Sequence, residues 1–202
     1  MSTHLRLAAM LLLIGGHAGG AEPPAPRATE VRTAIFAGGC FWCIEADFEK
    51  LPGVLAAESG YTGGRTANPS YEQVSAGNTG HTEAIRVSYD PQRVSYPQLL
   101  DYFWRHIDPT VRNRQFCDVG TQYRSGIYWQ NETERKAAES SRDALLASGK
   151  LPHIETEIAA ATTFYPAEEY HQDYYKKNPI RYAYYRQGCG RDARVKQIWG
   201  SS

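Results

Sequence analysis

An apolar segment that breaks on two glycines and delivers a cysteine into a helix-like stretch constrains this chain more than any other feature. The run is Ala34-Ile35-Phe36-Ala37-Gly38-Gly39-Cys40-Phe41-Trp42-Cys43-Ile44-Glu45. Residues 31–37 read as a buried strand. Ile44, Phe48 and Leu51 then recur at helical spacing until Pro52-Gly53 stops the helix. Glycines lack a Cβ, so two in succession let the backbone turn sharply. The turn puts Cys40 at or near a helix N-terminus, where unpaired amides and the helix dipole favour a thiolate over a thiol. The segment predicts a reactive sulfur beside an aromatic wall.

The 202 residues suffice for one sizeable core or two small ones. Lys+Arg and Asp+Glu are balanced at 22 each. That balance gives no electrostatic argument for nucleic acid or an anionic membrane as partner. Fourteen tyrosines against six phenylalanines supply many hydroxyl donors on apolar rings, which suits polar chemistry in an aromatic pocket.

Residues 1–21 have the pattern of an export signal. Arg6 is the positive flank, Leu7-Ala8-Ala9-Met10-Leu11-Leu12-Leu13-Ile14 the short apolar core, and Gly19 and Ala21 the small residues before cleavage. The apolar run is too short to span a bilayer. An uncleaved anchor or a buried helix is the alternative. Residues 22–28, rich in proline, read as an extended linker. The mature domain is expected over residues 29–202, ending in a long irregular, redox-active tail that is basic and aromatic from Arg181 to Ser202. A bacterial periplasm is the expected location, and a monomer the expected state.

Four cysteines lie in that mature part: Cys40, Cys43, Cys117 and Cys189. An even count in an exported protein suggests structural disulfides. A core of this size does not need them, however, and uneven spacing with one C-x-x-C fits redox chemistry better. The set fits zinc poorly, because no second close pair completes it. No G-x-G-x-x-G follows a strand, so no nucleotide cofactor is indicated.

Further strands are expected over residues 54–61, 81–89, 123–129 and 154–161. Helices are expected over 71–74, 96–107, 132–147, 167–177 and 191–198. Residues 110–122 read as a long loop rich in polar groups, a kind of loop that usually serves function. The irregular alternation favours one layered α+β or α/β domain, with helices packed on a sheet.

Cys40 is the primary candidate for chemistry. Adjacent residues do not face the same core, so at least one of Phe41 and Trp42 is a candidate pocket wall. Glu83 sits in the strand His81-Thr82-Glu83-Ala84-Ile85, where a carboxyl group either faces water or sits in a pocket with a raised pKa. Asp118 has the same two readings. Tyr71 and Tyr123, taken alone, read as half-buried packing residues.

Several ordered motifs now coincide: Gly39-Cys40-Phe41-Trp42, Gly60-Tyr61-Thr62-Gly63-Gly64, Asn68-Pro69-Ser70-Tyr71, Gly80-His81-Thr82-Glu83-Ala84, Asp108-Pro109-Thr110, Arg114-Gln115, Asp118-Val119-Gly120-Thr121-Gln122-Tyr123-Arg124-Ser125 and His171-Gln172-Asp173-Tyr174. Over residues 33–178 the chain resembles a peptide methionine sulfoxide reductase of the A type, selective for the (S)-sulfoxide. The resemblance implies an α/β sandwich with a mixed sheet. It implies that Cys40 is the nucleophile and that Phe41 and Trp42 hold the sulfoxide's methyl group. Glu83 then is a protonated acid that donates to the sulfoxide oxygen, Tyr71 and Tyr123 hydrogen-bond that oxygen, and Asp118 orients the site. It implies no prosthetic cofactor and no metal, oxidised proteins or free methionine sulfoxide as substrates, and a thioredoxin-like dithiol as reductant.

The second thiol is less determined. Cys189, in Gln187-Gly188-Cys189-Gly190, is favoured because a mobile tail reaches a pocket thiol without distorting it. Cys43 is the alternative, although a disulfide within one helical turn needs backbone adjustment. Were Cys43 the partner, Cys189 would be a relay. Cys117, beside Asp118, is a third possibility. Two other readings compete with the reductase: a thioredoxin-like disulfide oxidoreductase using Cys40 and Cys43, and a binding module whose cysteines are all in structural disulfides.

Overall fold

The computed structural model describes residues 30–200, so the export signal and the whole linker lie outside the described residues. In chain order the elements begin with strand β1 (Arg32–Gly38), helix α1 (Phe41–Phe48), β2 (Val54–Thr62), α2 (Tyr71–Ser75), β3 (Thr82–Tyr89) and α3 (Tyr96–Arg105). A small hairpin of β4 (Arg114–Gln115) and β5 (Asp118–Val119) and a 3-10 turn (Thr121–Tyr123) lead to β6 (Ser125–Trp129). Then come α4 (Glu132–Ala147), β7 (Glu157–Ala160), β8 (Tyr165–Pro166), a second 3-10 turn (Glu169–His171), α5 (Tyr174–Lys177), α6 (Pro179–Gly188) and α7 (Arg191–Trp199).

Six strands form one sheet in the order β7-β6-β1-β3-β2-β8. Only β6 and β7 pair in parallel, so the sheet is mixed, as expected. Strand β1 lies inside the sheet, and its side chains alternate between two buried faces. Ala34 and Phe36 join the larger core, where Phe36 stacks on Phe48 at 5.2 Å and on Phe103 at 5.1 Å. Ile35 and Ala37 point to the other face, against Ala84 and Tyr128, and the segment carrying Ala161 and Phe164 covers them. Helices α1 and α3 supply the larger core with Phe41, Ile44, Phe48, Leu99, Leu100 and Phe103. Truncating a buried ring such as Phe36 to alanine costs about 3–5 kcal/mol.

Three expectations need correction. Residues 110–122 contain the β4–β5 hairpin, and Tyr123 belongs to a 3-10 turn rather than to the strand. The helix expected over 167–177 is interrupted: Asp173 takes the left-handed conformation at φ 53°. Inward hydrogen bonds of Glu168, His171 and Gln172 override its helical period. The C-terminal tail is not long and irregular but folds into α6 and α7. Pro179 starts α6 at a position where a missing amide is harmless. Exposed Ile180 and Tyr184 blur its amphipathic pattern. Among the described residues no helix is long and apolar enough to cross a membrane.

Candidate active site

The turn after β1 brings the site together. Gly39 has φ +79°, and a Cβ there would lie 2.5 Å from Cβ of Gln115. Glycine is therefore required both for its conformation and for the close approach of the β4–β5 hairpin. Gln115 is buried and holds that approach: its Oε1 accepts from the Asp108 amide at 2.9 Å, and its Nε2 donates to the Asp108 carbonyl at 2.6 Å. The hairpin then carries Asp118 to the start of α1.

Cys40 is the N-cap of α1, and its carbonyl accepts from the Cys43 amide at 3.1 Å. Its side chain does not cap the helix. Glu83 on β3 does so from across the sheet: its Oε2 accepts from the Phe41 amide at 2.9 Å. Glu83 is 2% exposed, and burial raises its pKa to about 8 despite that amide, with Asp118 adding to the rise. The group is therefore a neutral acid near pH 7.

The thiol of Cys40 departs from the sequence expectation. Helix-end position favours a thiolate, but the residue is only 6% exposed, and burial raises its pKa well above the usual thiol value. Contact with the Cys43 thiol and the nearby Glu83 act in the same direction. Cys43 is lowered instead, chiefly by the hydrogen bond with Cys40 and further by the charges of Arg191 and Arg186. These guanidiniums face Asp47 on α1: Arg186 Nη1 stands 2.8 Å from Oδ1, and Arg191 Nε 3.6 Å from Oδ2.

The structure gathers all seven predicted pocket residues around one cavity of about 120 Å³. Cys40 and Glu83 face it, Phe41 and Trp42 both line it, and Tyr71, Asp118 and Tyr123 complete the predicted set. Burial raises the pKa of Tyr71 to about 12, and it also raises that of Tyr123, so both phenols stay protonated donors. Burial raises Asp118 too, while a 2.6 Å hydrogen bond from the Tyr185 hydroxyl opposes the rise. A wider groove of about 490 Å³, at Arg32, Tyr96 and Glu134, holds no cysteine.

Cys189 is not a free thiol on a mobile tail. It caps α6 and is joined to Cys117 by a disulfide with a Cα–Cα distance of 5.0 Å. Buried Arg191 fixes that end of the chain: its Nη1 donates to the Gly38 carbonyl at 3.0 Å and its Nη2 to the His106 carbonyl at 2.8 Å. Cys40 and Cys43 are free, which excludes a module with all its cysteines in structural disulfides.

The family model described as "Peptide methionine sulfoxide reductase" matches residues 32–202. Peptide methionine sulfoxide reductase MsrA 2 of Caulobacter vibrioides is 50% identical over 181 residues, which is 90% of this chain and 92% of the relative. The MsrA of Bacillus licheniformis is 52% identical over 169 residues, covering 83% and 93%. The chain belongs to the peptide methionine sulfoxide reductase family. Reduced Mxr1 from Saccharomyces cerevisiae shares the fold, with a TM-score of 0.68 and 35% identity over 74% of this chain and 86% of that one. The activity is therefore reduction of methionine (S)-sulfoxide to methionine, an oxidoreductase reaction at sulfur with a disulfide as acceptor. The thioredoxin-like reading of Cys40 and Cys43 gives way to it.

Sequence reasoning missed two residues of this reductase site. Tyr185 reaches the cavity from α6, donates to Asp118, and lies within hydrogen-bonding reach of the Cys40 sulfur. Its only signal was the spacing Tyr182 to Tyr185, which puts both on one helical face. His171 accepts at Nδ1 from the Trp42 indole N–H at 3.0 Å. It appeared in the sequence only as part of a motif, with no chemistry attached.

Proposed function

We propose that Cys40 attacks the sulfur of methionine (S)-sulfoxide while Glu83 protonates its oxygen. The observation that carries this reading is a buried thiol and a neutral carboxylic acid facing one small aromatic cavity. A sulfoxide oxygen is a strong acceptor and a poor leaving group, so it must gain a proton as the sulfur is attacked. Tyr71 and Tyr123 stabilise the developing charge as neutral donors. Phe41 and Trp42 take the methyl group. Cys40 passes its thiol proton to the Glu83 carboxylate as its sulfur bonds the sulfoxide sulfur, and that S–S bond then breaks with its electron pair left on methionine as the protonated oxygen transfers to Cys40. The net step converts the Cys40 thiol and the sulfoxide into a Cys40 sulfenic acid and methionine, so the oxygen ends on Cys40.

Cys43 then condenses with the sulfenic acid, forming the Cys40–Cys43 disulfide and releasing water. Two observations support Cys43 over the Cys189 favoured on sequence grounds. Its thiol already contacts Cys40, and Cys189 is engaged with Cys117. The geometric objection to a disulfide in one helical turn also weakens, because Cys40 is an N-cap at ψ 117° and lies outside the helix proper. A Cys43→Ser protein given one equivalent of sulfoxide should hold a sulfenic acid on Cys40, trapped by dimedone and located by mass spectrometry. A Cys40–Cys189 disulfide in that experiment would instead restore Cys189 as the resolving thiol.

An external dithiol of the thioredoxin type returns the pair to thiols by exchange. Mxr1 has been solved in complex with Trx2, and that chain shares this fold at 24% identity. Substrates are oxidised proteins and free methionine sulfoxide, reduced by a monomer. Export to a bacterial periplasm fits the N-terminal pattern, and the Cys117–Cys189 disulfide suits an oxidising compartment. N-terminal sequencing of protein from a periplasmic fraction tests this. A start near residue 22 is expected, and Met1 retained in the cytosol would contradict it.

A further inference from the structure

We infer that the Cys117–Cys189 disulfide is a clamp that positions Asp118 and Tyr185 in the sulfoxide pocket, so that the pocket's hold on substrate follows the redox state of a bond outside its lining; this rests on the reading of the Cys40 cavity as the sulfoxide pocket. The two cysteines frame the pair. Asp118 directly follows Cys117 in the β4–β5 hairpin. Tyr185 lies one helical turn before Cys189, whose amide donates to the Tyr185 carbonyl at 2.9 Å. The side chains of these two neighbours meet at the cavity, where the Tyr185 hydroxyl donates to Asp118 Oδ2 at 2.6 Å. The covalent bond therefore joins the same two elements that this hydrogen bond joins inside the pocket.

The sulfurs also stand against the carboxylate itself. Cys117 Sγ is 3.7 Å from Asp118 Oδ1, and Cys189 Sγ is 3.9 Å from Oδ2. Neither sulfur carries a proton while the bond stands, so neither competes with Tyr185 for Asp118. Cys117 is exposed, so an external thiolate can reach it. A dithiol that reduces the bond is itself oxidised to a disulfide and leaves two thiols, each with an S–H within reach of Asp118. Reduction therefore supplies rival donors to the carboxylate and removes the covalent tie in one step.

The contacts that survive reduction hold the hairpin less firmly. Phe116, at the hairpin tip, has φ 54°, in the left-handed region that a residue with a side chain rarely adopts. Its ring lies 4.6 Å from the Arg191 guanidinium, which is anchored on the Gly38 and His106 carbonyls. That contact secures the start of α7 and involves neither Asp118 nor Tyr185. Tyr185 also meets the Trp42 ring edge-on, at 5.9 Å and 81°. A shift of α6 therefore loosens the methyl-group wall together with Asp118. Neither Asp118 nor Tyr185 transfers a proton in the reaction, so the loss falls on binding rather than on the chemical step.

The test compares two states of the wild-type protein. One is purified without reductant and keeps the outer bond and two free thiols; the other is treated with dithiothreitol, freed of it, and has four. Single turnovers are followed across sulfoxide concentrations. Reduction should raise the half-saturating concentration roughly five-fold and leave the saturated rate within about two-fold. Tyr185→Phe keeps the ring and the disulfide but loses the hydroxyl. Its half-saturating concentration should already be raised and should respond less than about two-fold to reduction. Cys189→Ser should bind like reduced wild type with or without dithiothreitol. A merely structural bond would lower the melting temperature of wild type and Tyr185→Phe alike without this split in binding. An unchanged half-saturating concentration in reduced wild type, or an equal rise in Tyr185→Phe, would overturn the inference. If either variant does not fold, the two wild-type states carry the test. Failure of both wild-type states to make methionine would instead refute the pocket reading on which it rests.

Discussion

The two cysteine pairs of this chain sit on either side of Asp118 and have opposite characters. Cys40 and Cys43 are buried, reduced and in mutual contact under an aromatic wall. Cys117 and Cys189 are joined at the surface, with Cys189 Sγ 3.9 Å from Asp118 Oδ2. The difference shows that helix-end position alone does not decide what a cysteine does. Burial overrides the helix dipole at Cys40, keeps the resting thiol protonated, and reserves its reactivity for a substrate that brings an acceptor oxygen. Exposure leaves the outer pair open to exchange but outside the lining of the cavity that Glu83 faces.

The largest effect should come from Cys40→Ser, which removes the attacking sulfur. Methionine formation in a single turnover should fall by roughly 10³-fold or more. A Cys117→Ser/Cys189→Ser double variant should keep the first turnover. Equal losses in the two proteins would erase the distinction between the pairs. Next in size, Glu83→Gln removes the proton donor, and the single-turnover rate should drop by about 10²–10⁴-fold. The sign of the pH dependence follows from the raised pKa. Glu83 is the active neutral acid below about 8, so the wild-type rate should decline as pH rises through about 8, and the Gln variant should lack that inflection.

Cys43→Ser should preserve the first turnover yet slow steady-state cycling by roughly ten-fold, whereas Cys189→Ser should cycle at a rate closer to wild type. The reverse order would return the resolving role to the tail. The smallest effect is on stability. Glu45 is buried with Oε2 unpaired, and burial raises its pKa to about 8, as it does for Glu83. The native state then holds more protons than the unfolded chain between 4.5 and about 8, so stability falls as pH rises through that window. Buried His106 and His171, both lowered, oppose this below 6.5, so the window to measure is 6.5 to 8. The melting temperature should decrease across it, and Glu45→Gln should flatten the slope.

Legibility in the sequence followed the range of the forces involved. Helix α4 was readable because local terms agree: charged good helix formers, a closing Gly149, and a cap at Asn131 or Thr133, of which Asn131 caps by accepting from the Glu134 amide at 3.0 Å. The turn that presents Cys40 was readable because Gly38-Gly39 is local chemistry. Glu83 stayed ambiguous, since its neutrality depends on Phe41 and on burial by elements remote in the chain. The resemblance, not the residue pattern, resolved its role. Tyr185 and the Cys117–Cys189 bond were hidden for the same reason. Both depend on α6 docking, which buried Arg191 and the Asp47 ion pairs secure from a segment that reads as a loose basic tail.

The most direct measurement is a single turnover of the reduced mature protein with separate (S)- and (R)-epimers of N-acetyl methionine sulfoxide, run on wild type and on Cys40→Ser. Stoichiometric methionine from the (S)-epimer alone, lost in Cys40→Ser, is the predicted result. Methionine from the (S)-epimer that survives in Cys40→Ser, or none from either epimer with intact thiols, would contradict attack by Cys40 in this pocket.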